Sequence, residues 1–159
     1  MPNENFLTRG RLALVRRLQQ NALLLDRIAE PHWFLFGSGL HKRVIIEPSS
    51  CPFCAVAPAE QEWDQISNAF VQTPQILQVD FGVVGQDAEP MEDLVAALAD
   101  VVLEANEDAM ELASDGLASV QSSGTVWEAR TDKEAAQFIW ITTTRVTLLW
   151  NRRRPLATT

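Results

Sequence analysis

Cysteine is scarce in this chain of 159 residues. Cys51 and Cys54 are the only two, so no disulfide framework is available to hold the fold together. Histidine is as rare. His32 stands beside Trp33 and His41 beside Lys42, and neither is near an acidic cluster in sequence. That placement offers no catalytic triad and no metal-binding pair. Ser49-Ser50 lacks the pattern of a nucleophile elbow, and no glycine-rich phosphate loop occurs. The apolar run near the end, Phe138 to Thr144, is far short of the roughly 20 residues that span a bilayer. The opening residues, MPNENFLTRGRLALVRR, lack the apolar block and cleavage site of a signal peptide, which predicts synthesis in the cytosol and no membrane partner.

Basic residues are also missing from one long stretch. Residues 1–50 hold seven Lys/Arg against four Asp/Glu, a balance of +3. Residues 51–134 hold two against seventeen, a balance of −15, and the last 25 residues hold four arginines and no acid. The acidic middle excludes broad nucleic-acid binding, which needs a basic surface. It is read either as a solvated helix face or as one half of a head-to-tail contact between copies with oppositely charged parts. Hydrophobic content of 47% and charged content of 21% fit a soluble globular chain, and the length predicts a single domain over 1–159.

Periodicity locates the elements. Leu14, Val15, Leu18, Ala22, Leu25 and Ile28 predict a helix from Thr8 to Ala29, stopped by Pro31. Trp33–Phe36 and Arg43–Ile46 read as a hairpin around Gly37-Ser38-Gly39, and Phe53–Ala57 as an edge strand among prolines. Ala59–Asn68 reads as a loop or short helical turn. Strict alternation at Leu77, Val79, Phe81 and Val83 predicts a strand over Gln75–Val84 with one wet face. The stripe Met91, Leu94, Val95, Leu98, Val101, Val102 and Ala105 predicts a helix from Asp87, taken as its N-cap, to Ala105. Glu89, Glu92 and Asp93 suit the positive end of its dipole better than a calcium site, since the loop glycine is missing. Ala118–Gln121 and Val126–Ala129 read as short strands, and Ala136–Asn151 as a long closing strand with large residues on both faces. The sum is an α+β fold, a mainly antiparallel sheet flanked by helices, ordered over about 8–155 with a frayed tail at 156–159.

The sharpest short motif is Cys51-Pro52-Phe53-Cys54. Two cysteines three apart can support thiol–disulfide exchange, and a helix N-terminus after the first would lower its pKa. Thr73-Pro74 resembles a redox-protein proline segment, but only nineteen residues separate it from Cys54. A lone pair also lacks the further ligands that zinc needs. The motif therefore reads first as two structural thiols, with an oxidoreductase as the alternative. No catalytic residue, cofactor or metal is expected.

The order of elements carries a resemblance. An N-terminal helix leads to the proline-bounded segment Ser50–Pro58. A strand ends near Gly85-Gln86-Asp87-Ala88-Glu89-Pro90, before the helix that begins Met91-Glu92-Asp93-Leu94. A Gly116-Leu117-Ala118 turn follows, and the strand Phe138–Arg152 closes the chain before Pro155. This resembles the tail terminator, or tail completion, proteins of tailed bacteriophages over roughly residues 8–155. The resemblance implies a structural virion protein at the head-proximal end of the tail. Such proteins form a ring of six copies on the tail tube, stop its growth and meet the head connector or stopper protein. DNA passes through without specific binding. Another head–tail connector role is the neighbouring alternative. Aromatic side chains favour interfaces, so Trp127, Trp140 and Trp150 are the candidate contacts, with Arg152, Arg153 and Arg154 as candidate partner-pairing charges.

Overall fold

A computed structural model of the chain describes residues 5–35, 48–61, 65–66, 70–132 and 137–153. Three helices and six strands follow one another: α1 (Phe6–Gln20), α2 (Ala22–Arg27), β1 (Trp33–Leu35), β2 (Phe53–Gln61), β3 (Gln65–Ile66), β4 (Phe70–Gly85), α3 (Glu89–Asp108), β5 (Leu117–Asp132) and β6 (Gln137–Arg153). The strands form one sheet in the order β1-β2-β4-β6-β5, with β3 paired to the start of β4. Only β1–β2 is parallel; the other pairings are antiparallel. The fold is α+β, as the sequence predicts.

The alternation of β4 divides the sheet. Leu77, Val79, Phe81 and Val83 face the helices, and Val146, Leu148 and Trp150 of β6 lie on the same face. The α3 stripe of Met91, Leu94, Leu98, Val101, Val102 and Ala105 closes over them with Leu14, Leu18 and Leu24 from the first two helices. The opposite face is not bare. Phe53, Ala55, Ile139 and Ile141 are buried there, and the Phe53 ring occupies the space a Cβ on Gly82 would need.

Several boundaries depart from the sequence reading, each for a local reason. The predicted helix 8–29 is broken at Asn21, whose extended backbone ends α1 while its carboxamide oxygen accepts the Leu24 N–H at 3.1 Å to start α2. Asp87 does not cap α3. Ala88 holds that position with no side-chain bond, and proline in the first turn presets the helical φ instead. The loop or helical turn expected over Ala59–Asn68 is strand where it is described, at 59–61 and 65–66, and the strand expected from Gln75 begins earlier, at Phe70. Pro74 is tolerated because it falls between the stretch of β4 paired to β3 and the stretch paired to β2. The two short strands expected near 118 and 126 are one strand, β5, bent by a bulge in which Ser123 and Gly124 are inserted between Ser122 and Thr125. In the predicted hairpin after Pro31, the first arm instead pairs parallel with β2 over Trp33–Leu35; the second, Arg43–Ile46, lies outside the described residues.

Helix α3 ends in an unusual way. Ala109, Met110 and Glu111 all take positive φ, at 49°, 50° and 59°. Left-handed backbone costs L-residues about 1–2 kcal/mol each. The Asp108 carboxylate holds the turn: one oxygen accepts the Met110 N–H at 3.0 Å and the other the Arg17 guanidinium at 2.7 Å.

Gly10 marks the closest approach of α1 to the sheet. A Cβ there would lie 2.6 Å from Gln75 Oε1 and 2.8 Å from both Leu148 Cδ2 and Trp150 Cζ2. Alanine improves helix propensity by about 1 kcal/mol. Overpacking a filled site costs about 1–3 kcal/mol, and the fixed Gln75 amide leaves little room to give. Gly10→Ala is expected to lower unfolding free energy in urea by a net of up to about 2 kcal/mol; greater stability would show that α1 can slide.

Candidate assembly surface

The six candidate residues fall at different depths. Trp150 is 0% exposed: its indole N–H donates to Gln75 Oε1 at 2.9 Å and its ring meets Phe6 edge-on at 5.3 Å. It belongs to the core of its own chain and has no surface for a partner. Trp140 is half-buried. Its N–H donates to the Gly85 carbonyl at 3.3 Å, and its ring lies 6.0 Å from that of Phe138. Trp127 is exposed at 42%. Arg152 sits over the Phe6 ring at 4.3 Å and donates from Nε and Nη2 to Thr73 Oγ1. The backbone of Arg153 pairs with Phe70. The Arg153 side chain and all of Arg154 lie outside the described residues.

Two exposed apolar residues join this set that the sequence reading passed over. Val126 is 70% exposed and Phe138 41%. Trp127, Phe138 and Trp140 share the helix-side face of the β5–β6 hairpin, where Trp127 pairs with Thr142 and Thr131 with Phe138. The Thr142 hydroxyl donates to Met91 Sδ at 3.4 Å, so the first turn of α3 stops level with Thr142. The hairpin runs on past it, and its aromatics are left at the rim. Alternation alone assigned Phe138 and Trp140 to one face. It gave no way to see that the covering helix ends there.

The acidic middle resolves into α3 and its flanks. Between Asp87 and Asp115 lie ten acidic residues and no basic one. Three arginines from the N-terminal helices meet them: Arg9–Asp115 at 3.0 Å, Arg17–Asp108 at 2.7 Å and Arg27–Asp93 at 3.6 Å. The Arg17 hydrogen bond, first among its causes, holds the Asp108 carboxyl below the usual range. Exposed pairs of this kind contribute about 0–1 kcal/mol each, so they orient the helices more than they stabilise them.

The thiols are placed for packing. Cys54 lies inside β2, fully buried, and Cys51 is half-buried before it; the two are not joined in a disulfide. Neither stands at the start of an α-helix, where a thiolate would be stabilised. Burial pushes the Cys51 thiol up to about 11. Burial, and then the nearby Asp80 carboxylate, push Cys54 further up. His32 Nδ1 donates to the Pro52 carbonyl at 3.1 Å, a packing role. His41 lies outside the described residues. Among those described, no group of three His, Cys, Asp or Glu is arranged to hold a metal. Among the described residues no helix is long and apolar enough to cross a membrane.

With this geometry in view, comparison with known proteins gives a likeness of fold. No family model and no curated protein sequence matches. Among solved structures, a chain from the virion of a native gene transfer agent particle is similar, with a TM-score of 0.58 and 13% identity. The likeness covers 91% of this chain and 99% of that one, so the two share a fold along nearly their whole length.

Two measurements follow. At pH 8, raising a thiol from 9.0 to about 11 lowers its thiolate fraction roughly 100-fold. Native protein should therefore react with a chromogenic disulfide reagent about 100-fold more slowly than urea-unfolded protein; equal rates would revive the redox alternative. Asp80 provides the second. Burial raises its carboxyl above the ordinary 3.8, against hydrogen bonds from Gln78 and Thr143. Its ionisation then favours the unfolded chain: stability is full below pH 3.8 and falls as pH climbs through the folded value. Asp80→Asn should raise the melting temperature at pH 7 and leave it unchanged below pH 3.8.

Proposed function

We propose that this chain is a structural virion protein of the tail terminator type. It assembles into a ring of six copies at the head-proximal end of a phage-like tail, where it stops tube growth and meets the connector. The whole-length fold likeness to a virion chain carries the reading. The exposed aromatics at the hairpin rim support it, because surface aromatics at a rim suit contacts between subunits. The acidic run on α3 suits a wall past which DNA moves, since like charge keeps the polyanion from adhering. In this reading the chain acts as one unit, has no catalytic role, and has three partners: its own copies, the tube protein and the connector or stopper. The buried, high-pKa thiols weigh against the oxidoreductase alternative.

Native mass spectrometry with and without reductant, alone and on assembled tubes, tests the reading. A hexamer of unchanged mass under reductant is the expected result. A chain that stays monomeric in both settings sinks the ring. A monomer that reversibly loses two protons on oxidation moves the function to thiol chemistry.

A further inference from the structure

The hairpin end of the sheet gathers two kinds of open surface. Trp127 and Phe138 are 42% and 41% exposed on the helix-side face, with the half-buried Trp140 beside them. Three carboxylates border that face. Trp140 donates to the Gly85 carbonyl, and Asp87 follows Gly85 two residues later, a reach of at most about 7 Å. Met91 receives the Thr142 hydroxyl in the row that holds Trp127, which sets the first turn of α3, with Glu89 and Glu92, at the same rim. All three acids are exposed, and among the described residues none is in an ion pair. Arg130 of β5 lies on the other face of the sheet, where Glu128 holds it.

We infer that this rim takes a short, extended, arginine-bearing segment of a different protein chain. Aromatic faces attract guanidinium groups, and carboxylates at the same rim complement their charge. Size selects an extended segment. Aromatic side chains bury about 150–250 Å² each, so the two partly exposed rings offer on the order of 200 Å². A standard interface between folded chains buries ~800 Å² on each partner, whereas a few side chains of an extended segment need no more than the rim gives. Charge argues against a second copy. Among the described arginines, Arg9, Arg17, Arg27 and Arg130 are in ion pairs, and Arg11, Arg145 and Arg152 have contacts of their own. Arg16 is left, in a cleft it shares with Asp108 and Glu111, acids that would repel those of the rim. On the virion reading the tube or connector protein supplies the segment; the surface itself does not depend on that reading.

The test is a titration of the full chain, isotope-labelled at its indole nitrogens, with the acetylated and amidated peptide GRGRG. The same peptide with citrulline for arginine, and putrescine, serve as comparisons, and Trp127→Phe assigns the Trp127 signal. The Trp127 and Trp140 indole signals should shift with the arginine peptide and not with the citrulline one. Read on the Trp140 signal, Trp127→Leu should weaken binding about fivefold. Glu89→Gln with Glu92→Gln should weaken it about tenfold, with melting temperature as the check on folding. Glu104→Gln with Glu107→Gln makes the same charge change in the C-terminal half of α3 and should leave binding within about twofold. Equal weakening by both pairs makes the effect one of net charge and overturns the rim site. Equal binding of the citrulline peptide, or of putrescine, which has the same charge without guanidinium planes, overturns it too, as does no indole shift at millimolar peptide. If concentrating the chain alone gives the same shifts and a larger native mass, the occupant is a second copy and the proposal falls. A chain that forms no ring yet binds the peptide leaves this site standing; a ring that binds none leaves only the ring.

Discussion

A single buried amide ties the helix layer to the sheet. Gln75 is 5% exposed, and its side chain spends both polar atoms: Nε2 donates to the Leu7 carbonyl at 2.7 Å and Oε1 accepts from Trp150 at 2.9 Å. Leaving either partner unpaired in the core would cost about 1–3 kcal/mol, which makes this arrangement more specifying than an apolar contact of equal size. It fixes the depth of α1, and the bare Gly10 backbone is what lets the helix approach that closely. It also sets the surface above it. Phe6 rests edge-on against Trp150, and Arg152 rests on Phe6, so the arginine is positioned by a stack rooted in the core.

The same node shows what the sequence could and could not convey. Alternation along β4 and the apolar stripe of α3 were legible because each element buries one face and the period records it. The depth of Trp150 was not. A large aromatic near the chain end reads equally as anchor or as core, and the difference lies in Gln75, 75 residues away. Asn21 is a poor helix former inside a helical stripe. Its effect, ending one helix and starting the next, depends on its extended backbone and its bond to Leu24. The continuity of β5 was hidden for a related reason. Ser122-Ser123-Gly124 reads as a turn, yet a positive φ of 108° at Gly124 serves a bulge within one strand.

Charge placement is governed by the same layering. The segment from Asp87 to Asp115, α3 and its flanks, holds ten acids and no base and would repel itself if isolated. The N-terminal helices set Arg27 against Asp93 near the start of α3, Arg17 against Asp108 at its last residue, and Arg9 against Asp115 beyond it. The Arg17–Asp108 contact has a second consequence, because that carboxylate also receives the Met110 N–H and stabilises the left-handed turn that leads toward β5. The acids left over face solvent, so a helix that looks unbalanced in sequence is partly neutralised inward and strongly negative outward.

The edges of the sheet bear on where association can occur. β5 is a sixteen-residue edge strand, a length that invites indiscriminate strand pairing. The bulge at Ser123-Gly124 bends it, and an exposed Glu128–Arg130 pair at 2.9 Å places charge along its outer half. Both devices oppose sheet extension through this edge. The exposed aromatics, by contrast, lie at the end of the hairpin and on its face, where bending the edge does not hide them. Strand pairing is thus opposed along the β5 edge, while the apolar surface of Trp127 and Phe138 stays open at the hairpin end.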